Sequence, residues 1–284
     1  MTKVLVRSWQ FRLVFAFVVF LALCWAYLWL TLEEAPKSHR RQFIYLTYGS
    51  NCCVQAQQRA CKAALQYGFT QCIAANTSSL SLQFREENKK VLEQPRGAGY
   101  WIWKVRLILD VYETMHPDDI LVYADAGSVL IHDPIFLLGA AQQEESGILL
   151  FGLCHHKMRS WCKRDAFILA EADEAKYHDA SQFLASFIVV RPTHFARVLL
   201  ERWLQLCLDK RALTDIPNEL GKANLPEFRD HRHDQALLSL VALKMGYTPY
   251  RDPSQYGECD EKDQPLPMAV SKYPTTFHHD RFRD

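Results

Sequence analysis

Apolar residues first crowd together at Leu13–Leu32, a run of 20 residues without a charge or a proline. At about 1.5 Å rise per residue a helix of that length crosses roughly 30 Å, the thickness of a hydrocarbon core. The run therefore predicts a transmembrane signal-anchor over 13–32, behind a tail of residues 1–12. A cleaved signal peptide is the competing reading, but its apolar region runs about 7–15 residues and ends in a small-residue cleavage site. Lys3, Arg7 and Arg12 precede the run, and Glu33 and Glu34 follow it. The positive-inside rule then keeps the tail in the cytosol and sends the remainder into a lumen.

Residues 33–41 read as a short stem, and from Gln42 the pattern turns to strand, helix, strand. Phe43–Thr47 is a short apolar strand closed by Tyr48-Gly49-Ser50. A helix is predicted over 54–67 with Gly68 behind it, then a strand over 71–75. Residues 76–99 are polar and read as a loop. Trp101, Val105, Ile108, Tyr112 and Met115 share one helical stripe, and strands follow at 120–124, 148–153 and 183–190. Helices are predicted over 194–210, where Arg197, Glu201, Gln205 and Asp209 make a wet stripe, and over 235–245. Alternating strands and helices predict a single α/β domain over 42–284 with a Rossmann-like, mostly parallel central sheet. No internal repeat appears.

Composition narrows the field only slightly. A charged fraction of 23% beside 49% hydrophobic residues excludes a disordered chain. Of 33 Lys+Arg, three precede the apolar run, leaving 30 against 32 Asp+Glu, a net of −2 that argues against a nucleic-acid partner. Eight of the nine cysteines lie beyond the run. An even number in an oxidising lumen predicts disulfides, with Cys154–Cys162 and pairing among Cys52, Cys53, Cys61 and Cys72 suggested by proximity. Zinc ligation is disfavoured, since Cys52 and Cys53 are adjacent and no second pair has ligand spacing. Asn76-Thr77-Ser78 is the single glycosylation sequon.

Ligands of an open α/β sheet bind at the carboxyl ends of its strands. That rule singles out Tyr48-Gly49-Ser50, Asp125-Ala126-Gly127 and the segment before Gln235. Each has an ordinary structural reading beside the functional one. Asp125 suits an Asx-turn, Asp234 a helix cap, and Trp101 and Trp103 a core. Lys104, at the start of an apolar helix, suits a phosphate.

Together these segments resemble a known group. Tyr123-Ala124-Asp125-Ala126-Gly127-Ser128 is similar to the strand and DxD segment of GT-A-fold glycosyltransferases, and Gly99-Tyr100-Trp101-Ile102-Trp103-Lys104 to the helix before it. Ala185–Pro192, followed by His233-Asp234-Gln235, resembles the later strand and Asp-Gln segment of glycogenin-like members. The resemblance implies a GT-A-like domain that transfers sugar from a nucleoside-diphosphate donor, UDP-linked, to a glycan or glycoconjugate acceptor in the Golgi or endoplasmic reticulum. Tyr48, Gly49, Ser50, Arg96, Trp103, Lys104, Asp125, Ala126 and Gly127 would bind the donor, and Mn²⁺ or Mg²⁺ would be held by Asp125 and His278. Asp234 and Gln235 would face the sugar, and Asp165 would serve the acceptor side as a base. One departure stands out: Gly127 occupies the place of the second aspartate. It supports an alternative, a catalytically inactive sugar- or nucleotide-binding protein of the same fold. A hydrolase finds no support, for neither a Gly-x-Ser-x-Gly elbow nor a His-Glu-x-x-His helix occurs.

Overall fold

A computed structural model describes residues 17–27, 39–50, 53–257 and 274–279. The chain divides into two units, Met1–Arg40 and Arg41–Asp284. In the first, residues 17–27 are helical and largely exposed. No helix among the described residues is long and apolar enough to cross a membrane, which overturns the predicted transmembrane helix. The remaining parts of the predicted span, 13–16 and 28–32, lie outside the described residues.

The second unit is built on a five-stranded sheet of order β2-β1-β3-β6-β5. Its strands are β1 (Phe43–Tyr48), β2 (Gln71–Ala75), β3 (Ile120–Ala124), β5 (Ile148–Lys157) and β6 (Ser181–Val190). A two-stranded ribbon pairs β4 (Ser128–Leu130) with β7 (Phe277–His279). The longer helices are α1 (Val54–Gln66), α2 (Ile102–Tyr112), α3 (Ile135–Gln143), α4 (His194–Leu208) and α5 (His233–Lys244).

The sheet is mixed, which corrects the mostly parallel one expected. β1 runs parallel to β2 and β3, but β6 is antiparallel to both β3 and β5. Direction is decided by the connections. A parallel pair needs a crossover, as α1 and α2 provide, whereas β5 and β6 are joined by short helical turns at Met158–Trp161, Arg164–Leu169 and Ala175–His178.

Alternate strand residues feed two cores. Ile44, Leu46, Leu121 and Tyr123 face α2, α4 and α5, while Tyr45, Ile120 and Val122 face α1 and α3. In β6 this alternation inverts: Phe183 and Ala185 lie on the first face, but so do Ile188 and Val190. The β5 partners move from Val189 to Leu184 while β5 itself advances only from Leu149 to Phe151. The extra β6 residues form a bulge around Ser186, directly beside the end of β3.

Two further expectations change. The predicted loop 76–99 holds helical turns at Leu82–Glu87 and Lys89–Leu92. Cys61 pairs with Cys72, within the group of four expected to hold a disulfide, and ties α1 to the edge strand β2. Cys154 is disulfide-bonded, though not to Cys162, whose thiol is free and buried in the first core.

Candidate active site

β1 and β3 deliver their carboxyl ends to one cleft of about 830 Å³. Helices α2 and α5 both begin there, since Trp101, Trp103, Lys104, Arg232, His233, Asp234 and Gln235 all line it.

Lys104 forms the floor. Its side chain is 3% exposed, with Nζ 3.2 Å from Asp125 Oδ1 and 3.0 Å from Asp234 Oδ2. The ammonium also donates to the Ala185 carbonyl at 3.1 Å, a group that the β6 bulge turns toward it. Asp125 follows β3 directly, and its NH bonds the Ser186 carbonyl at 3.0 Å. The Tyr123 hydroxyl donates to Asp125 Oδ1 at 2.7 Å. The Asp125 side chain keeps 31% of its surface open to the cleft, whereas that of Asp234 keeps 4%.

Burial and charge act differently on the three groups. Burial works to lower Lys104, but the two carboxylates outweigh it and the ammonium stays charged. Burial also works to raise the Asp125 carboxyl, yet Lys104, Tyr123 and Ser186 together hold it below the usual range. Asp234 is pushed up to about 6 by burial, assisted by the nearby Asp125 charge and opposed by Lys104. The centre therefore couples one ionised, partly open carboxylate to one that holds its proton more tightly.

The wall beside Lys104 has an unusual backbone. Gly97, Ala98, Gly99, Tyr100 and Trp101 have φ of 60°, 49°, 101°, 54° and 60°, five left-handed residues in succession. Trp103 Nε1 donates to the Gly97 carbonyl at 3.0 Å, and the Trp103 ring stacks on Tyr48 at 3.6 Å. Across the cleft, His233 is left-handed as well, with φ 44°. Its ring lies 4.8 Å from Tyr100, and burial holds its basicity down.

Most of the residues nominated from sequence meet here. Tyr48, Ser50, Arg96, Trp103, Lys104, Asp125, Ala126, Gly127, Asp234 and Gln235 all line the cleft. Gly49 stands behind it, where a Cβ would come within 2.7 Å of Gln57. Asp165 is fully buried elsewhere and accepts from the Glu219 and Leu220 amides at 2.6 and 3.2 Å, pinning that loop. His278 is exposed on β7, and it is His279 that reaches the cleft, with Nδ1 3.0 Å from Ser128 Oγ. Strand alternation decides between the two histidines. Sequence reasoning passed over Thr77, Ser186 and Arg232, all lining residues. Arg232 directly precedes the His-Asp-Gln segment, the one local hint to it.

The nominated metal ligands do not gather. Asp125 Oδ1 already serves Tyr123 and Lys104, Gly127 offers no side chain, and His278 faces away. Among the described residues no group of three His, Cys, Asp or Glu comes together. Of the two nominated ligands Asp125 opens to the cleft, and Mg²⁺ or Mn²⁺ held there would draw its remaining oxygen ligands from phosphate and water.

No family model matches this chain. No curated protein matches it either. Among solved structures, the chain is similar to the apo form of mouse xyloside xylosyltransferase 1 at 12% identity and a TM-score of 0.46, covering 85% of this chain and 98% of that one. It is also similar to apo WbbM, a bifunctional glycosyltransferase, at 10% identity and a TM-score of 0.40, covering 72% of this chain and 38% of that one.

Proposed function

We propose that the chain is a glycosyltransferase that moves a sugar from a nucleoside-diphosphate donor, UDP-linked, to an acceptor hydroxyl. The observation that carries this reading is the Asp125–Lys104–Asp234 centre on the floor of a cleft at the carboxyl ends of β1 and β3, where an open α/β sheet binds ligands. On this reading the nucleotide lies toward Tyr48, Ser50 and Thr77, and the sugar lies over Asp125. The acceptor enters on the side of Gln235.

In transfer the acceptor oxygen attacks the anomeric carbon. The bond from that carbon to the phosphate oxygen breaks, its electron pair leaves with the diphosphate, and the hydroxyl proton passes to a carboxylate. Asp125, ionised and partly open, stabilises positive charge developing at the anomeric carbon. Asp234, beneath it, fixes the Lys104 ammonium that holds Asp125 in place.

A second reading, a non-catalytic sugar- or nucleotide-binding protein, is favoured by one observation: Gly127 leaves Asp125 as the sole acid of its motif. UDP release from a panel of UDP-sugars, measured on the full chain, separates the two. Asp125→Asn is expected to lower the rate by about 10²–10³, with the melting temperature of the same preparation reporting on the fold. A mutant that melts normally and turns over at the wild-type rate makes Asp125 a turn residue and moves the centre elsewhere. Binding of UDP without turnover by the wild type selects the second reading.

A further inference from the structure

Among the described residues three Lys or Arg side chains line the cleft, Arg96, Lys104 and Arg232, and two are already neutralised. Arg96 pairs with Asp215 at 3.2 Å and Asp230 at 2.5 Å, and Lys104 with Asp125 and Asp234. Arg232 meets no carboxylate among the described residues. Its guanidinium lies 4.5 Å over the Trp161 ring, and its Nε is buried without an acceptor. The Arg232 NH donates to the Trp161 carbonyl at 3.0 Å, so backbone and ring both hold the residue at the head of α5. A partly desolvated guanidinium with open donors and no anion is electrostatically unsatisfied, and its planar fork suits a bidentate anion.

Position tells which anion. Trp161 follows β5, the edge strand opposite β2. β1 and β5 are three strand intervals apart, roughly 14 Å, so Arg232 stands at the end of the cleft away from Tyr48 and Thr77. We propose that Arg232, held flat by Trp161, is a specificity-determining subsite for an anionic sugar, binding a carboxylate or sulfate on the acceptor. The word acceptor rests on the transferase reading; the anion site itself does not.

Isothermal titration of the full chain tests this, with UDP present and one disaccharide supplied in glucuronate-terminated, sulfated and neutral forms. The glucuronate-terminated or the sulfated form is expected to bind at least about tenfold tighter than the neutral one, the scale of a hydrogen bond to a charged group. Whichever form does so identifies the anion. Arg232→Gln should erase the preference, and Arg232→Lys should keep part of it, because the charge remains while the fork is lost. Equal affinity for all three forms overturns the proposal, and this wild-type comparison stands even if Arg232→Gln does not fold. An Arg232→Gln variant that keeps the acceptor preference but binds UDP tenfold more weakly also overturns it, by giving the arginine to the diphosphate. If UDP does not bind but the acidic disaccharide does, the transferase reading falls and the anion subsite stands.

Discussion

Among the described residues Lys104 is the group that pairs with both Asp125 and Asp234, so the electrostatics of the site turn on how one ammonium is shared. Asp234 holds its proton to about pH 6 in the folded chain, against an ordinary 3.8. A carboxyl shifted upward stabilises the fold most when protonated. Its contribution is complete below about pH 4 and is lost as pH rises through about 6. Asp125 has the opposite sign, because its carboxyl is lowered, and its contribution is lost as pH falls below the ordinary range. Asp234→Asn cannot ionise and should flatten the decline in melting temperature between about pH 4 and 6, leaving the acid limb in place. If the mutant and wild-type curves of melting temperature against pH run parallel, Asp234 titrates as an ordinary carboxyl and the burial argument fails.

At the scale of elements, the left-handed turn ahead of α2 sets the angle at which Trp101, Trp103 and Lys104 enter the cleft. Left-handed backbone costs an L-residue about 1–2 kcal/mol, and Ala98, Tyr100 and Trp101 all bear it. Strain persists only where the surroundings over-determine it. Here the restraints are the Trp103–Gly97 hydrogen bond, the Trp103–Tyr48 stack and the burial of Gly99 against Leu92. Ala98→Gly should relieve strain and raise the melting temperature by roughly 1–3 °C. Gly99→Ala should lower it by more, since φ is +101° and the new Cβ would meet the Leu92 Cα at 2.8 Å. Calorimetry of both variants checks the pair, and a stabilised Gly99→Ala would show that the turn is not held as described. None of this was legible in Arg96-Gly97-Ala98-Gly99, which reads as a loop because two glycines announce freedom of the backbone without its hand.

On the scale of the whole molecule, the edge strand β2 is the weakly buried member of the sheet, and two of its residues are exposed. The Cys61–Cys72 bond holds it to α1 across a separation of 11 residues. Closing a loop of that size stabilises by about 3 kcal/mol in the chain-entropy account. A Cys61→Ser, Cys72→Ser double variant should therefore melt roughly 6–12 °C lower. An unchanged melting temperature, read under non-reducing conditions, would mean that β2 is held by its hydrogen bonds to β1 alone.

Local properties of the chain were open to inspection before folding. The apolar runs at 43–47, 120–124 and 183–190 mark strands because only buried strands are that short and that apolar. Asp125 draws notice because it ends such a run, and Lys104 because it interrupts an apolar helix. Strand direction was not legible: a strand buried on both faces is apolar throughout and carries no trace of which way its neighbour runs. Nor was the meeting of Lys104 with Asp125 and Asp234, or of Arg232 with Trp161, since each pair is distant in sequence and ion pairs act through space. The apolar run near the N-terminus shows the converse, a length that satisfies a spanning rule where no helix among the described residues is long and apolar enough to cross a membrane. Residue chemistry and the pattern of apolar runs are properties of the sequence by itself. Direction, handedness and the company each charge keeps were decided only when the sheet brought its strand ends together, because those depend on contacts that no local pattern encodes.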